Sequence, residues 1–193
     1  KDFWVCWLLG QLFTLDAFKG HLVFKGGTSL SKVFGVIHRF SEDIDVTVFR
    51  DDIGEPATIE ELDALSGNKR RARLDAIKEA CEVYINGPLA KRLATICAET
   101  CARAGLGQDA LTVKADAHDR QTLLLGYPSV TPADIYVAKS VKIESGAKSA
   151  LDPHSVRTIT PYVDADVPGI DLAVQGITVV DAERTFWDKV VIL

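Results

Sequence analysis

Two aspartates one residue apart, Asp43 and Asp45, alternate with the apolar residues Ile44, Val46 and Val48. Successive side chains of a strand point to opposite faces, so both carboxylates share one face and Ile44 takes the other. Carboxylates that close repel each other unless a cation lies between them. An oxygen-only donor set selects Mg²⁺ or Mn²⁺, and Mg²⁺ usually keeps substrate phosphate oxygens in its shell. Upstream stands a second group, Gly26, Gly27, Thr28 and Ser29, with Lys32 one turn on. Glycines let a ligand approach the backbone closely. Unpaired N–H groups at a helix start, with hydroxyls beside them, bind phosphate. A phosphate cradle followed by a divalent-cation site is the equipment of phosphoryl or nucleotidyl transfer. Each feature alone has a plain structural reading, a tight turn or a solvated strand end. Their succession on consecutive strand ends is what points to chemistry.

The elements that must position these groups can be read from hydrophobic periodicity. Residues 1–18 carry an apolar helix pattern, with Phe3, Trp4, Trp7, Leu8, Leu12 and Phe13 as core candidates, ended by Gly20 and His21. Leu22-Val23-Phe24 is a short buried strand that runs into the glycines, and a helix follows over 29–37. Residues 43–49 form the strand with the aspartates, and the acidic residues 50–58, with Gly54 and Pro56, form a loop. Residues 59–105 read as mostly helical, broken at Gly67-Asn68 and at Asn86-Gly87-Pro88. Strands over 111–116 and 121–125 flank a turn at His118-Asp119, and three more lie over 136–145, 156–163 and 177–180. In the first of those three, Val137, Val141 and Ile143 face away from Lys139, Lys142 and Glu144, with one slip in the alternation. Asp181 begins a last helix. The expected class is α+β (mixed α/β): a mixed sheet flanked by helices, in one domain over 1–193.

Composition narrows the function. The chain has 193 residues, 47% hydrophobic and 25% charged, which excludes a disordered chain and suits one domain with its own core. No run of 18 apolar residues exists, so no transmembrane helix and no membrane partner are expected. Lys plus Arg is 22 against 27 Asp plus Glu, a net charge of -5, so the chain is not a generic polyanion binder. The dense basic cluster, Lys69-Arg70-Arg71-Ala72-Arg73, either steers a nucleic-acid acceptor or is a solvated helix face. Cys6, Cys81, Cys97 and Cys101 form no C-x-x-C pair and fit the reduced thiols of a cytoplasmic protein, although Cys97 and Cys101, one helical turn apart, leave a redox pair open. His21, His38, His118 and His154 show no metal spacing. Residues 1–15 read as folded protein rather than a signal peptide. The chain holds no Met and opens on Lys1, which suggests a trimmed start, and residues 185–193 open an amphipathic helix without a C-cap, which suggests a cut end.

The run Phe24-Lys25-Gly26-Gly27-Thr28-Ser29-Leu30-Ser31-Lys32, followed by Arg39-Phe40-Ser41-Glu42-Asp43-Ile44-Asp45-Val46, resembles the AbiEii/AbiGii toxin family of nucleotidyltransferases, within the DNA polymerase β-like superfamily. The resemblance continues in Val141-Lys142-Ile143-Glu144-Ser145-Gly146-Ala147-Lys148-Ser149, in Ile159-Thr160-Pro161-Tyr162-Val163 and in Glu183-Arg184-Thr185-Phe186-Trp187-Asp188-Lys189. It implies a nucleotidyltransferase-type mixed sheet with a helical insertion around 59–105. It implies that Asp43 and Asp45 hold catalytic Mg²⁺ (or Mn²⁺), and that Glu144 is the third carboxylate, completing the metal site or acting as base. Gly26, Gly27, Thr28, Ser29, Lys32 and Arg39 would bind the nucleotide, with Ser29 and Lys32 on the β and γ phosphates. Lys189 would reach the triphosphate or the leaving pyrophosphate, while Phe186 and Trp187 are expected as core anchors of the last helix. A further C-terminal helical region is expected beyond residue 193.

The activity implied is that of a Mg-dependent toxin of a toxin–antitoxin or abortive-infection system, cytoplasmic. It would move a nucleoside monophosphate from an NTP to an acceptor hydroxyl, with a tRNA 3′ end as the first candidate, and release pyrophosphate. A separate cognate antitoxin protein would be its partner. Two alternatives use the same residues: a non-catalytic nucleotide-binding protein of this fold, and a phosphotransferase that moves the γ-phosphate.

Overall fold

The computed structural model describes residues 1–14, 21–38, 41, 43–129, 139–149 and 151–192. Helix α1 (Asp2–Thr14) leads to β1 (Leu22–Lys25), helix α2 (Gly26–Lys32) and β2 (Asp43–Val48). A helical stretch follows: α3 (Ile59–Asp63), α4 (Gly67–Tyr84) and α5 (Ala90–Ala104). The hairpin β3 (Thr112–Ala115) and β4 (Thr122–Gly126) precedes β5 (Ser140–Gly146), β6 (His154–Ile159), β7 (Val174–Val180) and α6 (Ala182–Ile192). The strands form one mixed sheet in the order β3-β4-β5-β2-β1-β7-β6. The expected class, a mixed sheet flanked by helices, is what the chain adopts.

The strand face carrying Phe24, Ile44, Val46, Ile143, Leu123 and Val179 is fully buried. It forms one core with Leu8, Leu9 and Leu12 of α1 and with Ile77 and Leu93 of α4 and α5. Gly10 lets α1 lie close on β7, because a Cβ there would stand 3.2 Å from Val174 Cγ1. Leu8, Leu12 and Phe13 are buried as expected, Trp4 and Trp7 pack at the edge of the core, and Phe3 is exposed.

Several boundaries differ from expectation, each for a physical reason. Helix α2 starts at Gly26, not at residue 29, because the positive φ of Gly26 (82°) turns the chain directly from strand into helix. It stops before residue 37, where left-handed Gly35 follows and the Val36 N–H bonds back to the Leu30 carbonyl. Gly67 opens α4 rather than breaking it, and the gap falls at 64–66 after the Thr58/Glu61 capping box of α3. Asn86-Gly87-Pro88 does not break the helix either: a π-helical turn, Ile85–Leu89, joins α4 to α5. The wider turn accommodates a proline that has no N–H to donate. Strand β6 ends at Ile159, and Pro161 leads into a 3₁₀ turn at Tyr162–Asp166. Strand β7 begins at Val174, earlier than expected, with Gly176 (φ 78°) opposite an irregularity in β6. Parts of the expected first helix (15–18) and of the expected strand from 136 (136–138) lie outside the described residues.

Candidate active site

Strand register assembles the charged groups. β1 and β2 run antiparallel with Lys25 opposite Asp45, while β2 and β5 run parallel with Asp45 opposite Glu144 and Asp43 opposite Lys142. Cross-strand partners share a face. Lys25, Asp45 and Glu144 therefore form one row across three strands, with Asp43 and Lys142 in the next. This row lies on the sheet face opposite Phe24, Ile44 and Ile143. Alternation sends the apolar residues of β2 into the core and the two carboxylates out of it.

The row is electrostatically strained. Asp45 and Glu144 are cross-strand neighbours, so two carboxylates face each other on one side of the sheet. Burial, then the Glu144 charge and its side-chain hydrogen bonding, push the Asp45 carboxyl up to about 6, while Lys189 and Lys25 act in the opposite direction. Lys142 pairs with Glu144. That hydrogen bond, then the charges of Glu144 and Asp43, raise the Lys142 pKa. Burial lowers the Lys25 pKa against the pull of Asp45 and Asp188, with Lys189 and Arg184 adding to the fall. The Lys25 ammonium donates to Ser149 Oγ at 2.7 Å.

Gly26 is the residue this arrangement depends on. A Cβ there would stand 1.9 Å from Asp45 Oδ2 and 2.5 Å from its Cγ. The carboxylate therefore occupies the volume a side chain would need. Two of the three hydroxyls of α2 fix the start of the helix against β2: Thr28 Oγ1 donates to the Asp43 carbonyl and lies 2.7 Å from Ser41 Oγ, and Ser29 Oγ donates to the Gly26 carbonyl at 2.8 Å. Gly27 is buried beside them.

The expected site residues thus separate. Asp43, Asp45, Glu144 and Gly26 come together, and Lys189 acts on Asp45 from the exposed side of α6. Lys32 has other partners: it pairs with Asp2 at 2.8 Å, donates to the Thr160 carbonyl at 2.9 Å and lies 3.6 Å from the Tyr162 ring centroid. Arg39 lies outside the described residues. Phe186 and Trp187 are not core anchors; they are 55% and 60% exposed. Helical periodicity puts Thr185 against the protein and turns the next two side chains outward. Lys25 and Ser149 belong to the sequence motifs, but the residue pattern assigns neither a role. The available signal was a lysine closing a buried strand immediately before the glycine pair.

The remaining sequence features lie away from the row. The basic cluster lies along α4, where Arg70 pairs with Asp63 at 2.9 Å and Arg73 pairs with Glu55. All four cysteines are free and buried. His21 pairs with Asp52 and His154 with Asp152.

Among the described residues no three His, Cys, Asp or Glu groups form a preformed cation cage. The donor chemistry nonetheless fits a hard divalent cation. Asp43, Asp45 and Glu144 lie on one sheet face, Asp45 and Glu144 directly opposite each other, so their like charges leave a place for a cation and the carboxylate donors are oxygens.

Among the described residues no helix is long and apolar enough to cross a membrane. No curated protein matches the chain. The profile of the AbiEii family, nucleotidyl transferase AbiEii toxin of type IV toxin–antitoxin systems, matches residues 7–193. A solved structure of MenT4, a nucleotidyltransferase toxin from Mycobacterium tuberculosis H37Rv, is similar over 98% of this chain with 15% identity and a TM-score of 0.48. The chain spans about half of that protein, 52% of its length.

Proposed function

The chain belongs to the AbiEii nucleotidyl transferase toxin family, and from that premise we propose that it transfers a nucleoside monophosphate from an NTP to an acceptor hydroxyl. The observation that carries this reading is the row Lys25–Asp45–Glu144, with Asp43 beside it and Gly26 packed against Asp45. Asp43 and Asp45 would hold Mg²⁺ or Mn²⁺, which when bound supplies charge neutralisation and Lewis-acid activation at the reacting phosphate. Lys25 and Lys189, which flank Asp45, take the negative charge of the triphosphate and of the departing pyrophosphate. Gly26, Gly27 and Thr28 offer backbone N–H groups at the opening of α2. Ser29 and Lys32 act by fixing α2 rather than by touching phosphate, because Gly26, Asp2 and Thr160 already engage them. Glu144, held beside Asp45 by Lys142, accepts the proton of the attacking hydroxyl. The hydroxyl oxygen bonds to the α-phosphorus as the bond to pyrophosphate breaks.

In this reading the acceptor is a tRNA 3′ end, the protein acts in the cytoplasm, and a separate antitoxin restrains it. The test incubates the full chain with Mg²⁺, total bacterial tRNA and each α-³²P-labelled NTP in turn. An Asp43→Ala, Asp45→Ala double variant is the control. Label on RNA with wild type and none with the variant supports the reading. Label on protein or a small molecule moves the acceptor. ADP or its analogue in place of pyrophosphate means γ-phosphate transfer. No reaction with any NTP in the presence of tRNA and cell extract refutes the enzyme reading.

A further inference from the structure

A cavity of about 540 Å³, within the range typical of small-molecule sites, is lined by Ser149, the residue whose hydroxyl receives the Lys25 ammonium of the row. Ser149 and Arg184 line it on the side toward the row. Ser149 is one hydrogen bond from Lys25, and the charge of Arg184 acts on Lys25, so the cavity adjoins the Lys25 end of the row. Phe49, Ile59 and Leu151 supply apolar surface, and Asp51, Glu60 and Asp152 supply carboxylates. Arg50 borders the cavity too, but its guanidinium is committed to the carbonyls of Ala57, Ala147 and Lys148.

We propose that this cavity takes the base and ribose of the incoming nucleoside triphosphate, an inference that rests on the nucleotidyltransferase reading above. Helix α6 sets the spacing. Asp188 and Lys189 act on Lys25 and Asp45, and Arg184 lines the cavity one turn earlier, about 5.4 Å along the axis. A triphosphate held at the row therefore places its nucleoside at the cavity. Charge gives the orientation. Lys25 and Lys189 stand at the row, Arg184 is paired with Asp188 at 3.0 Å, and the other ionised walls of the cavity, Asp51, Glu60 and Asp152, are acidic, which repels the phosphodiester backbone of a nucleic acid but not a neutral base. Carboxylates only accept hydrogen bonds, so the cavity favours bases that present an exocyclic amine, adenine, cytosine or guanine, over uracil, whose one N3–H donor lies between two carbonyl oxygens that a carboxylate repels. Apolar side chains pack the base plane.

The test measures binding to the full chain by calorimetry in Mg²⁺, using the four α,β-methylene NTPs and inorganic tripolyphosphate. Two variants fill the cavity from different elements, Ile59→Trp and Leu151→Trp. The expected result is a loss of at least about tenfold in methylene-NTP affinity, about 1.4 kcal/mol, in both variants. Tripolyphosphate affinity should stay within about twofold, because the phosphate groups are untouched. Unchanged NTP binding in both variants overturns the proposal, as does an equal loss for tripolyphosphate. Wild type that binds tripolyphosphate no more weakly than every methylene-NTP also overturns it, while leaving the phosphate site standing. Wild type that binds neither refutes the nucleotidyltransferase reading itself. A UTP analogue that binds as tightly as the other three overturns the assignment of the carboxylates to the base edge.

Discussion

Replacing Gly26 by alanine tests whether the backbone at the start of α2 sets the position of a reacting carboxylate. Two costs arise and can be separated. The first is conformational: at φ 82° an L-residue costs about 1–2 kcal/mol. The second is steric: the new Cβ would stand 1.9 Å from Asp45 Oδ2, whereas ordinary contact begins at 3.4 Å, so the carboxylate must retreat by 1.5 Å. Rotation of the side chain alone does not relieve this, because Asp45 Cβ is itself 2.8 Å away. A displacement of about 1 Å at a reacting group costs on the order of 100-fold in rate. Gly105→Ala is the matched control: its φ is 64°, and a Cβ there meets nothing within 4 Å. Both variants should melt lower, by roughly 2–8 °C for 1–2 kcal/mol in a domain of this size. Only Gly26→Ala should lose about 100-fold in label transfer. If Gly26→Ala melts like Gly105→Ala and keeps activity within about threefold of it, the contact between Gly26 and Asp45 does not position the carboxylate, and the reasoning fails.

Three other outcomes follow from the same structure. Lys32→Met should destabilise the protein by about 2–3 kcal/mol in urea unfolding, because it leaves the Asp2 carboxylate with only the Tyr162 N–H and no counter-charge in a largely buried setting; adding Asp2→Asn should recover part of that loss. A single variant within about 0.5 kcal/mol of wild type would show that the clamp contributes little. Lys25→Met should lower kcat/KM for the NTP by about 10–100-fold, with Lys25→Arg restoring it only in part, because the buried site holds a compact ammonium against Ser149; full recovery by arginine would mean that positive charge alone is required. The thiols supply a pH test. Burial pushes Cys6 up to about 12 and Cys97 up to about 11, and raises Cys81, all from an ordinary value near 9. The folded state therefore keeps protons that the unfolded state loses, so stability should fall as pH rises from about 9 toward 12. Urea unfolding across that window, compared with a Cys6→Ala, Cys97→Ala variant, checks it; equal slopes in the two proteins would exclude the thiols as the cause.

The row of charges shows how far local pattern reaches. That Asp43 and Asp45 share a face follows from strand alternation, which is a property of adjacent residues. That Glu144 belongs with them was implied by the family motif, but its place opposite Asp45 comes from a parallel pairing between strands about 100 residues apart. Lys25 shows the limit more sharply. Its neighbours identify a strand end, and only the antiparallel register of β1 on β2 sets it beside Asp45. Lys32 reads locally as a phosphate ligand because it sits one turn into a helix after two glycines. Its actual partner, Asp2, is 30 residues away in sequence, so no local pattern could report it.

The order of strands and helices, the core face of β2 and the chemical character of the glycine and aspartate motifs are legible from the residues alone. These depend on side-chain period and on residues within a few positions of each other. Which lysine faces the carboxylates, that Phe186 and Trp187 point outward, that Pro88 lies within a continuous helix, and that Gly26 must lack a side chain all emerge from the fold. Each of those depends on which surfaces meet in space, and that is fixed by the packing of the whole chain rather than by any short stretch of it.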